Sequence, residues 1–316
     1  MVEAIGVPFD LCGYQLGSRL GPEALELAGI GSALEQLTIP FRWREKLQVQ
    51  SAPQTGSGLQ QFAALIEIVG KVKTATSAIL SDGNLPLVVG GDHSISMGSI
   101  GAALNHYGDK LAVLWIDAHV DVNTPQSSPS GNVHGMPIAA LAGSDSHLDP
   151  DTDAHWNALL QLIGPIRLQF GRVAWLGIRD LDSGERARLR ELKGISLASS
   201  MSDIDRYGLL WELRRLDAWL KESGATHLWI SFDVDVMDPQ LAPGTGTSVM
   251  GGLTYREAHL VAEVLHEFLS TPSCPYQLAG LDVVEINPII DTHNATAKMA
   301  VEWVGSLFGK AILELE

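Results

Sequence analysis

Short apolar runs rich in β-branched residues recur along this chain, separated by longer stretches in which apolar side chains return every three or four positions. Strand-like runs fall at residues 4–7, 86–89, 111–116, 173–177, 227–232 and 278–286, with weaker ones near 41–49 and 195–199. Helical patterns occupy 22–37, 59–80, 209–222, 255–269 and 296–313. The first opens with Pro22, whose missing N–H costs nothing at an early helical position. Strands that are apolar on both faces and alternate with helices need a parallel sheet covered on both sides. The predicted fold is therefore one α/β domain over residues 1–316. It has three layers, α/β/α, around a mainly parallel sheet of about eight strands. The stretches 123–131 and 144–153 read as loops inside that domain.

Such a frame needs a large core, and the 46% hydrophobic share of 316 residues supplies one. Charge narrows the partners: 21 Lys and Arg against 37 Asp and Glu leave a formal net charge of −16. That surface repels nucleic acid and anionic membranes and attracts cations, whether metal ions or a small cationic substrate. Cys12 and Cys274 cannot build a disulfide framework, and no apolar run is long enough to span a bilayer. The opening MVEAIGVPFD has no basic n-region of a secretory signal, so a cytoplasmic location is expected.

In open α/β sheets, ligands bind beyond the carboxyl ends of the strands. Four strand candidates deliver acidic and imidazole side chains there: Gly90-Gly91-Asp92-His93-Ser94, Asp117-Ala118-His119-Val120-Asp121, Asp233-Val234-Asp235-Val236-Met237-Asp238-Pro239, and the end of 278–286 with Asp282 and Glu285. If strand geometry persists through them, alternate residues share one side, so Asp117, His119 and Asp121 face together, as do Asp233 and Asp235. Carboxylates crowded this way repel one another unless a cation neutralises them. Two imidazoles (His93, His119) and four carboxylates (Asp117, Asp121, Asp233, Asp235) suit two divalent ions, and the oxygen-rich set favours Mn²⁺, with Zn, Co, Ni and Fe left open by ligand type alone. Asp92 is expected to orient His93 and Asp238 to form a turn. A single such aspartate is more often a cap or turn residue than a ligand; three segments together shift the balance.

The stretches GGDHS at 90–94, DAHVD at 117–121, SFDVDVMDP at 231–239 and DVVEINP at 282–288 resemble the ureohydrolase family, in its arginase branch. The likeness runs from Ile5 to about residue 305, nearly the whole chain. It implies the arginase/deacetylase-like fold and a binuclear manganese centre. His93 and Asp121 would serve one ion, His119 and Asp235 the other, with Asp117 and Asp233 bridging. The run SGNVHG at 130–135, and Asn123 two residues beyond DAHVD, are similar to arginases rather than agmatinases. By that resemblance Asn123 and Ser130 bind an amino acid's carboxylate, Ser128 and Asn132 lie nearby, and Asp182 faces its amino group. Glu285 would hold the guanidinium, with Thr247 in the same region.

The activity implied is hydrolysis of the L-arginine guanidinium to L-ornithine and urea by a metal-bridging hydroxide. Asp121 would relay a proton and His134 would act as general acid/base. Arg256 and Glu257, at a helix start capped by Thr254, and Asp205 become contact candidates in a homo-oligomer, trimer or hexamer. Two other readings compete: a ureohydrolase acting on agmatine or another guanidino compound, and a non-catalytic relative.

Overall fold

The computed structural model describes residues 1–51, 56 and 58–311. Eight strands make one sheet: β1 (Val2–Val7), β2 (Phe41–Lys46), β3 (Leu85–Gly90), β4 (Leu111–Ile116), β5 (Val173–Ile178), β6 (Leu197–Ser200), β7 (His227–Asp233) and β8 (Gln277–Val284). Their spatial order is β2-β1-β3-β8-β7-β4-β5-β6, and every neighbouring pair is parallel. The expected three-layer α/β/α fold is present, with a sheet that is wholly parallel.

The period-two alternation of the strands divides the interior into two cores. Ala112, Leu114 and Ile116 of β4 join Leu228, Ile230 and Phe232 of β7 beneath the helices Leu209–Ser223, Tyr255–Ser270 and Ala295–Leu307. Leu111, Val113 and Trp115 pack on the opposite face with Val88 and Trp229, under Phe62–Ser81, Ser96–Tyr107 and Pro150–Ile163. Each fully buried side chain of this size contributes about 1.5–3 kcal/mol, so neither face could be left bare.

Several boundaries differ from the sequence reading. The pattern at 22–37 is two helices, Gly21–Leu27 and Ile30–Gln36, because Gly29 takes a left-handed conformation between them. The segment 144–153, expected to be loop throughout, contains the start of helix Pro150–Ile163, capped by the Asp149 carboxylate on the amides of Asp151 and Thr152. The last helix stops at Leu307, ahead of Gly309 at φ 99°, and residues 312–313 of that pattern lie outside the described residues. Strand β8 ends at Val284, so Glu285 lies just past the ladder. Among the described residues no helix is long and apolar enough to cross a membrane.

The strands that carry the acidic motifs, β3, β8, β7 and β4, are consecutive in the sheet although far apart in sequence. Parallel pairing puts all four carboxyl ends on one edge.

Candidate active site

The ligand segments leave the strands as tight turns, not as continued strands. Asp117 Oδ1 accepts the His119 amide at 2.6 Å, and Asp233 Oδ1 accepts the Asp235 amide at 2.8 Å. Each aspartate thus folds the chain over its own side chain, and this, rather than strand alternation, brings residues two apart to one side. The next turn requires Gly91: a Cβ there would lie 1.8 Å from the Phe9 carbonyl. Asp121 and Glu285 both adopt positive φ, 52° and 64°, a conformation non-glycine residues rarely hold unless the surroundings impose it.

These turns converge. His93 Nδ1 lies 3.1 Å from Asp117 Oδ2, 3.1 Å from Asp233 Oδ2 and 3.3 Å from Asp121 Oδ2. His119 Nδ1 lies 3.0 Å from Asp235 Oδ2 and 3.3 Å from Asp117 Oδ1. Two groups with metal-ligand geometry result, His93–Asp117–Asp233 and Asp117–His119–Asp235, and Asp117 belongs to both. All these residues are buried except His119, which is half-buried.

The donor set fits cations. His93 Nδ1 and Asp117 Oδ2 are buried and make no hydrogen bond among the described residues, a costly state for polar atoms unless an ion takes them up. Ser231 Oγ, 2.9 Å from His93 Nε2, itself donates to Asp282 Oδ2 at 3.4 Å, so the imidazole proton belongs on Nε2. The Nδ1 lone pair then faces carboxylate oxygens, an arrangement that is attractive only around a positive charge. Titration behaviour reports the same frustration. Burial, aided by Asp117, pushes the Asp121 carboxyl well up, and burial with Asp235 and Asp117 does so for Asp233. Burial and Asp117 raise Asp235. Burial alone would lower His93, but the Asp117 and Asp233 carboxylates outweigh it and lift the imidazole well above its usual range.

The backing of His93 corrects the expectation for Asp92. Asp92 accepts from the Cys12 amide and from Ser94, whereas His93 is held by Ser231 and by stacking on Trp115, with ring centroids 4.0 Å apart. Asp282, fully buried, anchors this set by also accepting from Trp229 Nε1 at 3.0 Å. Asp238 is a turn residue as expected, accepting the amides of Gln240 and Gly251. Arg179 was also missed: its guanidinium donates to the carbonyls of Asp235, Val236, Met237 and Val249 and fixes the turn after β7.

Above the cluster opens a cavity of about 110 Å³ lined by His93, His119, Asp121, Asn123, Ser128, Ser130, Asn132, His134, Asp182, Asp233, Asp235 and Thr247, with Gly135 and Glu185. All twelve sequence-expected positions other than Asp117 and Glu285, Thr247 among them, therefore meet at one cavity. Thr247 Oγ1 donates to Asp235 Oδ2 at 2.9 Å. Asp182 caps helix Ser183–Glu191, accepts Asn123 Nδ2 at 2.7 Å and lines the cavity. Ser128 Oγ accepts the Gly131 amide at 3.0 Å and Ser130 Oγ the Asn132 amide at 3.2 Å. The two hydroxyls also lie 3.5 Å from one another, so one donates to the other and one proton is left to donate into the cavity. Glu285 is not on the cavity wall; its Oε1 lies 2.8 Å from His134 Nδ1 and accepts the His93 amide at 2.9 Å. Burial would lower the His134 pKa, but Glu285 raises it above the usual imidazole value. Glu185 went unassigned in the sequence. Burial raises its carboxyl to about 7, and it accepts the amides of Asp121 and Asp182. Its only sequence signal was the D-x-x-E capping spacing from Asp182, which announces a helix start and not a site.

Fold and site together define an α/β protein whose candidate metal-binding groups crown the middle strands of a parallel sheet. Residues 2–309 match the model of the Arginase family. An arginase of Staphylococcus aureus is 37% identical over 99% of this chain and 98% of its own length. Among solved structures, the arginase of Bacillus caldovelox superposes with a TM-score of 0.87 at 37% identity, covering 99% of both chains. The arginase of Entamoeba histolytica, solved with L-ornithine, gives a TM-score of 0.83 at 27% identity over 98% of each. The chain belongs to the arginase family.

Proposed function

We propose that this protein is a metal-dependent hydrolase that converts L-arginine to L-ornithine and urea, acting as one catalytic domain on two divalent ions, Mn²⁺ by preference. The observation that carries the reading is the pairing of opposite recognition ends on one small cavity. The carboxylate and imidazole cluster forms its floor, and Asp182 with the Ser128 and Ser130 hydroxyls forms its rim. A guanidinium is planar and permanently charged, so it seeks the acidic floor. An α-amino group suits Asp182, and an α-carboxylate suits the paired Ser128 and Ser130 hydroxyls with Asn123 and Asn132. The L-ornithine in the Entamoeba histolytica relative supports the same product class.

His93, Asp117, Asp121 and Asp233 would hold one ion, and Asp117, His119 and Asp235 the other. When bound, the ions supply a water nucleophile available at neutral pH. The chain's own residues do the rest. Because His134 Nδ1 donates to Glu285, Nε2 is the atom left to take or give a proton at the cavity. Glu285 keeps that imidazole oriented and adds negative charge opposite the guanidinium. Asp121, on the cavity wall, relays a proton to the departing amine. Thr247 steadies Asp235.

The decisive test is urea release from L-arginine and from agmatine by the same preparation, chelated and then reloaded with Mn²⁺, Co²⁺ or Zn²⁺. We expect kcat/KM for arginine to exceed that for agmatine by about 100-fold or more, because agmatine leaves the rim groups unpaired. Faster agmatine turnover would replace the substrate, and no turnover in any metal would leave a non-catalytic relative. We also propose a homo-oligomer. Arg256 and Glu257 sit on a face with a groove of about 800 Å³, also lined by Leu209, Tyr255, Leu260 and Lys310. Exposed Tyr207, Leu210 and Trp211 crowd the neighbouring helices. Light scattering of the native protein checks this, and a monomer at micromolar concentration would end it.

A further inference from the structure

We propose that Asp92 is a positioning residue for His134 and acts through the peptide of Cys12; this rests on the assignment of His134 as the proton-handling group. Asp92 is fully buried, and among the described residues none of its hydrogen bonds runs to the His93 ring. Its Oδ2 accepts the Cys12 amide at 2.8 Å, while its Oδ1 accepts the Ser94 amide at 3.1 Å and the Ser94 hydroxyl. The Cys12 carbonyl in turn accepts the His134 amide at 3.2 Å. Cys12 is thus gripped on its amide side by the turn after β3 and grips His134 on its carbonyl side.

The same turn holds His134 a second time. Glu285 donates its amide to the Gly91 carbonyl at 2.9 Å, accepts the His93 amide at 2.9 Å, and meets His134 Nδ1 at 2.8 Å. One grip fixes the imidazole at its ring and the other fixes the backbone that carries it, and both originate in residues 91–93. Two anchor points define where Nε2 points; one would leave the ring free to pivot about the Glu285 bond. An aspartate is needed because both of its oxygens accept, in different directions. Asparagine would turn an NH₂ group against an amide N–H. The fit around this bridge is close: a Cβ on Gly13 would lie 3.2 Å from Asp92 Cβ and 3.8 Å from His134 Nδ1. Gly13 has no positive φ, so alanine there would act as a wedge between the two residues without backbone strain.

The test uses the metal-loaded full chain and the variants Asp92→Asn and Gly13→Ala, each alone and combined with His134→Asn. Misplacing the proton-handling group should lower kcat about 10–100-fold in Asp92→Asn and about 3–10-fold in Gly13→Ala, with KM for arginine within about three-fold and metal content unchanged. In the His134→Asn background, Asp92→Asn should cost less than about two-fold, the non-additivity expected of residues acting as one unit. Hydrogen exchange gives a readout independent of turnover. The His134 amide should exchange at least about ten times faster in both single variants, with segments 117–121 and 233–235 unchanged. Equal losses in both backgrounds, metal loss that tracks activity, or an unchanged His134 exchange rate would overturn the role of Asp92. Full activity of His134→Asn alone would instead overturn the assignment beneath it. Should Asp92→Asn fail to fold, Gly13→Ala carries the same test.

Discussion

The floor and the rim of the cavity are built on opposite principles. On the floor, polar atoms are buried without partners, as His93 Nδ1 and Asp117 Oδ2 show, and neighbouring carboxyls are driven up in pKa by burial and by one another. On the rim, the polar groups satisfy one another: Ser127 donates to Asn123, Asn123 to Asp182, and Asp182 and Glu185 close a capping box. A floor in that condition is incomplete without cations, whereas the rim holds its shape with nothing bound. The contrast puts the proposed metal ligands and the proposed substrate-reading groups in separate sets of side chains, and the two should fail separately.

The sharpest way to break that separation is Asp117→Ala. Asp117 is the residue common to both ligand groups. Its loss should strip most of the metal measured by elemental analysis and lower urea production by about 10³-fold or more, since the activated water disappears with the ions. Asp235→Ala, which touches one group, should retain more metal. Equal, wild-type metal content in Asp117→Ala would dissolve the floor as drawn.

Next in size is the response of the chelated protein to pH. Asp121, Asp233, Asp235, His93 and His119 all have folded-state pKa values raised above their ordinary ones, and burial raises Glu185 to about 7. A raised folded pKa means that the native state holds its proton more tightly than the unfolded chain does. The stability it confers is complete below the unfolded pKa and is lost as pH rises through the folded value. Asp117 is lowered by His119 and His93 against its burial and works in the opposite sense at low pH. From pH 5 to pH 8 the raised groups dominate, so the melting temperature of the chelated protein should fall by about 5 °C or more, and Mn²⁺ should restore it most at pH 8. A metal-free melting temperature that is flat or rises over that range would contradict the floor's electrostatics.

How much of this was legible in the sequence follows the same division. Strands are short apolar runs with a strong local signal, so the sheet could be read directly. So could the helices Phe62–Ser81, Leu209–Ser223, Tyr255–Ser270 and Ala295–Leu307, whereas Ser96–Tyr107 and Pro150–Ile163 were not read. The motifs after β3, β4 and β7 placed His93, Asp117, His119, Asp121, Asp233 and Asp235 because ligand types at fixed spacing are a local pattern. Their adjacency was not local: it comes from the order β3-β8-β7-β4, which no periodicity encodes. The residues that were missed act at long range through ordinary side chains. Ser231 meets His93 from β7, backed by Asp282, which was named but given no role. Arg179, just past β5, reaches carbonyls of the turn after β7, and Glu185 enters the cavity from a helix whose only visible mark was its cap. Asp92 was given the wrong partner because sequence adjacency to His93 suggested contact, whereas its carboxylate turns toward Cys12.

The rim supplies the smaller effects, and they sharpen the comparison because they should leave metal content untouched. Asp182→Asn keeps an acceptor for the Glu185 amide but removes the charge facing an ammonium. KM for arginine should rise about 10–100-fold, the worth of a charge-assisted hydrogen bond, with metal content as in wild type. Ser130→Ala removes one neutral donor from a rim that keeps Ser128, so KM for arginine should rise only about 2–10-fold. Agmatine, having no carboxylate, should be handled by Ser130→Ala as by the wild type. The ratio of the two substrates' kcat/KM values therefore isolates the carboxylate contact from any general loosening of the 123–135 loop. A parallel loss on both substrates would mean that Ser130 shapes the loop through the Asn132 amide and does not read the substrate, and the rim would then discriminate through Asp182, Asn123, Ser128 and Asn132.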